Sequence, residues 1–259
     1  MAAQGQGLLE GRIAWVTGGG GGIGSAIAAR LLRSGARVAL LDRDAPALER
    51  AAAALIEQTG CGAERIATEA LDVSDAGAVD AAAGRLLGRW GRIDLLVNNA
   101  GINTPRRHFR DSVPEEFQRI IAVNLTGAWH CVRAVLPAMR AAGGGLIVSI
   151  ASIAGKMAFP LGGPAYNASK HALVGFSHSI QEEEWRHGIR ACAICPGEVN
   201  TPILKNRPVP VPEEERRRFI QPEDLAELVA TLATLPPRVS VTEIVVLPTH
   251  RRRLEVGKG

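Results

Sequence analysis

The sequence predicts an α/β protein: a doubly wound sheet of about seven parallel strands with helices on both faces, in a single domain over residues 1–259. Three observations predict it. Short apolar runs alternate with Ala-rich stretches of helical period. The runs are nearly continuous in apolar residues, as strands buried on both faces must be. A glycine cluster follows the first run at once, where a strand must turn sharply into a helix.

The predicted strands are Arg12–Thr17, Arg37–Asp42, Arg65–Leu71, Asp94–Val97, Gly145–Ala151, Ile189–Cys195 and Glu243–Leu247. Between them, Gly22–Arg33, Pro46–Gln58 and Asp75–Arg89 carry the helical period. No internal repeat and no interdomain linker is visible, and 259 residues suit one large domain better than two. Residues 1–10 and 251–259 read as flexible tails.

Composition excludes several function classes. The chain is 46% hydrophobic and 22% charged, with a net charge of +4. Much of the excess lies in Arg251, Arg252, Arg253 and Lys258, a short tail of the kind water solvates, so no nucleic-acid partner is expected. No apolar run approaches the length of a membrane span, and the N-terminus lacks a charged segment followed by an apolar core. The expected location is cytoplasmic, with no membrane partner. Four cysteines are too few for a disulfide scaffold. Cys192 and Cys195 form a C-x-x-C, but in a strand residues three apart point to opposite faces, so no metal site is expected.

One stretch is irregular. Thr201–Gln221, TPILKNRPVPVPEEERRRFIQ, combines prolines that block regular pairing with charges that suit exposure. It follows a strand at the sheet edge where ligands bind in such folds, so residues 201–221 are expected to form a substrate lid.

Thr17–Gly24, TGGGGGIG, lies between the first strand and the first helix. Glycines there let the backbone approach a pyrophosphate, whose charge then meets the helix N-terminus, as in the Rossmann fold. Gly18, Gly22, Ile23 and Gly24 are the expected contacts. Asp42 ends the next strand, where a carboxylate accepts hydrogen bonds from the adenosine ribose and repels a 2′-phosphate. That points to NAD over NADP. Arg43, directly after it, keeps NADP as the alternative, because a guanidinium could hold that phosphate.

Tyr166 and Lys170 stand four apart at the start of a long helical stretch and so share one face. A free tyrosine titrates near 10, and a neighbouring ammonium lowers that value, which suits general acid/base work near neutrality. Ser152 ends the strand before, where a hydroxyl could hold the substrate oxygen. Taken alone, the Tyr–Lys pair is as readily a surface pair, and Ser152 a turn or cap residue.

Together these segments resemble the short-chain dehydrogenase/reductase family over nearly the whole chain. The motifs are TGGGGGIG, LDV at Leu71–Val73, NNAG at Asn98–Gly101, Asn124 in VNLTG, Ser152, the YNASK run Tyr166–Lys170, and PGEVNTP at Pro196–Pro202. The resemblance implies that Tyr166 is the catalytic acid/base and that Lys170 binds the nicotinamide ribose. It implies that Ser152 stabilises the substrate oxygen and Asn124 holds a water in a proton relay through Lys170. Asp72 and Val73 would lie against the adenine, and Asn99, Ala100 and Gly101 near the adenosine and ribose. Pro196, Gly197, Val199 and Thr201 would contact the nicotinamide. The family commonly forms homodimers or homotetramers through two long helices, here Glu115–Ala142 and Ala165–His187. The C-terminus departs from the usual Gly-Gly turn and, with PEDLAELV from Pro222, is closer to a subgroup acting on small hydroxy acids.

The expected activity is hydride transfer between NAD and a secondary alcohol or ketone, a small-molecule substrate. Arg106, Arg107, His108 and Lys156 make the expected substrate segments basic, which suggests an acidic hydroxy compound; the alternative is that these cations face solvent. A dinucleotide-binding regulatory or scaffold protein is the alternative for the whole chain.

Overall fold

A computed structural model describes residues 7–202, 204 and 210–250. Seven strands form one sheet in the order β3-β2-β1-β4-β5-β6-β7, and every pairing is parallel. They are β1 (Ile13–Thr17), β2 (Arg37–Asp42), β3 (Ile66–Ala70), β4 (Leu95–Asn98), β5 (Gly145–Ile150), β6 (Ile189–Pro196) and β7 (Glu243–Val246). Every residue of β1 and β4 is buried, which is why these strands read as unbroken apolar runs.

Helices α1 (Gly22–Arg33), α2 (Ala45–Thr59) and α3 (Ala76–Trp90) follow the first three strands. Further on lie α4 (Pro114–Ile121), α5 (Gly127–Ala141), α6 (Pro164–Glu184), the short α7 (Glu213–Arg216) and α8 (Pro222–Thr234). Side chains of β1 alternate between two cores. Ala14 and Val16 join Ile27, Leu48 and Val229 from α1, α2 and α8. Trp15 joins Val79, Leu86, Val135 and Ile180 from α3, α5 and α6 on the other face. Order reverses between β1 and β4, so their C-terminal ends diverge and leave a crevice.

Several expectations change. The helix expected over Glu115–Ala142 is continuous but contains a π-helical turn, Ala122–Thr126, between α4 and α5. The joined stretch Pro114–Ala141 is long and apolar enough by composition to cross a membrane, but half of its most apolar window is buried inside the protein. The expected N-terminal tail is not loose throughout: Leu9 is buried in the core and its N–H donates to Ser34 O at 2.8 Å. Residues 1–6 and 251–259 of the expected tails lie outside the described residues.

The described ends of the 201–221 stretch are held to one another and to the residues just before it. Val199 bridges Ile220, Phe219 and Ile220 are buried, and Asn200 Nδ2 donates to Gln221 Oε1 at 2.9 Å. Its two ends are thus pinned together at the mouth of the crevice. Residue 203 and residues 205–209 lie outside the described residues.

Candidate active site

The crevice is a cavity of about 440 Å³. The glycine turn forms one part of its wall. Gly18 and Gly22 have φ of 65° and 54°, the left-handed region that glycine alone enters freely. A Cβ on Gly24 would stand 2.2 Å from Gly18 O, so α1 can start directly over the turn only because that position is glycine. Gly21 precedes α1 without a side-chain cap. The first N–H groups of α1 are therefore left for an anion from the cavity.

The turn is held from beneath. Thr17 Oγ1 donates to Val97 O at 3.2 Å and accepts from the N–H groups of Asn99 and Ala100, each at 2.9 Å. Asn99 Nδ2 donates to Thr17 O at 2.9 Å and Gly18 O at 3.2 Å. Thr17 was not foreseen as a site residue; a lone hydroxyl ending an apolar strand was the signal.

Asp42 lines the cavity at the end of β2, and its Oδ2 accepts from Gly20 N–H at 3.1 Å. Asp44 and Ala47 line the same end, whereas Arg43 is exposed and does not. Asp72 and Val73 do not line the cavity either. Asp72 binds Ser74 and Arg119 of α4. Burial alone would raise its pKa, but the Ser74 hydroxyl and the Arg119 guanidinium hold it down at about 2. Val73 O faces His130 Nδ1 at 3.0 Å.

Ser152, Tyr166 and Lys170 line the same cavity. Ser152 lies just past β5, and its Oγ accepts from Ala154 N–H at 3.1 Å. A Cβ on Gly155 would meet Lys170 O at 2.6 Å, so this turn packs directly on α6. Lys170 is buried, and its Nζ donates to Ile150 O at 2.8 Å. Burial lowers its pKa from 10.5 to about 8. Its ammonium lies 5.6 Å from the centre of the Tyr166 ring.

Asn124 stands behind this wall in the π-helical turn, fully buried. Its Oδ1 accepts from Ile102 N–H at 2.8 Å, and its Nδ2 donates to Ile102 O at 3.0 Å and Ser169 Oγ at 3.1 Å. It thereby ties the segment after β4 to α6. Gly101 lies between: a Cβ there would be 3.5 Å from both Asn124 Oδ1 and Lys170 Nζ. Asn99, Ala100 and Gly101 line the cavity, as do Pro196, Gly197, Val199 and Thr201 from the end of β6.

The basic residues separate. Arg106 pairs with Glu116 at 2.7 Å and Lys156 with Glu243 at 3.0 Å, while His108 is exposed. Of the four, only Arg107 lines the cavity. Asn103 joins it there, its Nδ2 donating to Gly162 O at 3.0 Å; no sequence signal marked this asparagine.

The two cysteines of the C-x-x-C serve different cores, Cys192 one and Cys195 another, and burial pushes the Cys192 thiol up to about 12. Among the described residues no cluster of His, Cys, Asp or Glu is placed to hold a metal.

The glycine cradle, the uncapped helix start and the carboxylate at the far end fit a dinucleotide. Comparison with known proteins agrees. A family model described as short chain dehydrogenase matches residues 12–210. The 2-(R)-hydroxypropyl-CoM dehydrogenase of Xanthobacter autotrophicus is 41% identical over 198 residues, covering 76% of this chain and 78% of that protein. The 2-dehydro-3-deoxy-L-rhamnonate dehydrogenase (NAD(+)) of a Sphingomonas strain is 40% identical over 202 residues, 78% of each. A metagenomic short-chain oxidoreductase crystallised with NADP superposes with a TM-score of 0.80 at 36% identity, covering 94% of this chain and 100% of that one.

Proposed function

Because the chain belongs to the short-chain dehydrogenase family of oxidoreductases, we propose that it interconverts a secondary alcohol and a ketone with NAD, using Tyr166 as the acid/base. One observation carries this reading: Ser152, Tyr166 and Lys170 share a cavity with the glycine turn and Asp42. The bound nicotinamide supplies the hydride acceptor or donor.

The chain's own groups would then act as follows. In oxidation, Ser152 Oγ holds the substrate hydroxyl while Tyr166 removes its proton; in reduction Tyr166 returns it. The Lys170 ammonium favours the phenolate and so brings the tyrosine's proton affinity towards neutrality. Asn124 positions both by tying Ile102 to Ser169 of the same helix. Asp42 receives the adenosine ribose hydroxyls and disfavours a 2′-phosphate, and Arg43, outside the cavity wall, does not oppose it. Exposed Phe117 and Trp129 on α4 and α5 support a homo-oligomer.

The test is NADH formation measured against a panel of alcohols, hydroxy acids and sugars. Turnover of a secondary alcohol with NAD, lost in Tyr166→Phe, is the expected result. Tight NADH binding without turnover of any member would favour a binding protein of the same fold.

A further inference from the structure

Resting on that reading of the site, we propose that Asn103 is a positioning residue: it holds the backbone of Gly162 against the Tyr166 ring and so fixes where the acid/base hydroxyl stands. Asn103 and Tyr166 both line the cavity.

Asn103 follows an anchored residue. The N–H and the C=O of Ile102 are both tied to the buried Asn124, at 2.8 and 3.0 Å. From this backbone the half-buried Asn103 side chain reaches across to the loop before α6. Its amide can face only one way. Oδ1 accepts from Thr104 N–H at 2.9 Å, so Nδ2 is the group that donates to Gly162 O, 3.0 Å away.

Gly162 is where this bond meets the acid/base residue. It is buried, and a Cβ on it would stand 3.2 Å from Tyr166 Cδ1 and 2.6 Å from Asn167 Oδ1. Glycine lets the main chain itself lie along the ring here. Arg107 and Asn167 hold the same loop, but at Leu161 O and Phe159 O. Asn103 holds the residue that touches the ring. Asn124 meanwhile donates to Ser169 Oγ, and that hydroxyl donates to Tyr166 O. The backbone at 102–103 therefore grips the chain on both sides of the tyrosine, at Gly162 before it and, through Asn124, at Ser169 after it. A ring held in this way keeps its hydroxyl in one place relative to Ser152 and Lys170, which proton transfer requires.

The competing role for Asn103 is a staple between two loops, without effect on the tyrosine. Tyr166 is the only tyrosine in the chain, so protein grown with 3-fluorotyrosine gives a fluorine NMR spectrum of this ring alone. The apoprotein serves, and neither cofactor nor substrate is needed. Wild type is compared with Asn103→Leu and Asn103→Asp. Leucine keeps the volume, adds no charge and removes both bonds. Aspartate keeps the acceptor for Thr104 N–H and removes the donor to Gly162 O. The wild-type signal should lie away from that of the urea-unfolded chain. Both variants should move towards the unfolded value by about half of that displacement or more, with narrower lines, as a ring with more freedom shows. Asn103→Ala takes the place of Asn103→Leu if the latter does not fold. Variant spectra equal to wild type, a shift in only one of the two variants, or a wild-type signal equal to the unfolded one would overturn the proposal.

Activity is read on unlabelled protein. With NAD and an alcohol that wild type oxidises, kcat of both variants should fall by about tenfold or more, while the NADH dissociation constant stays within about twofold. An unchanged kcat in a variant whose ring signal has moved would also overturn it. If wild type oxidises no alcohol, the dehydrogenase reading fails, and the fluorine spectra alone decide whether Asn103 places the ring.

Discussion

Lys170 directs its ammonium at a main-chain carbonyl, Ile150 O, 2.8 Å away, while standing 5.6 Å from the centre of the Tyr166 ring. In the proposed mechanism this ammonium, held beside the ring, favours the phenolate form of the tyrosine. Both residues line the same cavity, and charges interact more strongly in partly buried surroundings than in water.

Tyr166→Phe should lower kcat by about 10²–10⁴-fold, the usual worth of a positioned acid/base. NADH affinity, measured by fluorescence titration, should change little, because the glycine turn and Asp42 are untouched. Substantial residual turnover would show that another group moves the proton.

Lys170→Met should stabilise the apoprotein at neutral pH. Burial places the folded lysine near 8 against 10.5 when exposed, so the folded state binds fewer protons between those values. Stability therefore rises with pH from about 8 to about 10.5, and below about 8 the buried charge exerts its whole cost, roughly 1–3 kcal/mol. Urea unfolding of both proteins should show the variant ahead at pH 7 and the gap closing towards pH 10. A constant gap would mean the lysine is not desolvated in solution.

Asp42→Asn should weaken NAD and improve NADP relative to it by about 10-fold or more, since one charge repulsion and one charge-assisted hydrogen bond are removed together. Asparagine keeps an oxygen for the Gly20 N–H, so the turn itself should survive. The check is the ratio of kcat/KM values for the two cofactors. A wild type that already prefers NADP would reverse the roles read for Asp42 and Arg43.

Gly24→Ala should be severe and Gly21→Ala mild. The first puts a methyl 2.2 Å from the backbone oxygen of Gly18, which cannot yield without moving the strand end; the second meets nothing within 4 Å. Thermal unfolding of the apoproteins should separate them by about 2 kcal/mol or more, the scale of overpacking a rigid site. Similar Tm values would show that the turn relaxes.

Much of this was legible beforehand for physical reasons. Parallel strands buried on both faces must be apolar throughout, so β1, β4 and β6 announced themselves. The glycine cluster and the Tyr166–Lys170 spacing are local patterns. What stayed hidden depends on long-range pairing. Nothing in the residues beside Arg106 or Lys156 says that they pair with Glu116 and Glu243, or that Arg107 and not they lines the cavity. The π-helical turn at Asn124 leaves no compositional trace, because its stabilising bonds go to Ile102 and Ser169. Leu9 read as tail because a single buried residue has no periodicity.

The strand β6 holds a pair of built-in reporters. Cys192 and Cys195 are three residues apart yet belong to cores on different sides of the sheet. A thiol reagent can reach each only when the helices covering that side lift away. The labelling rate of each cysteine, resolved by mass spectrometry, would therefore time the breathing of one helical layer independently of the other, within a single unmodified polypeptide.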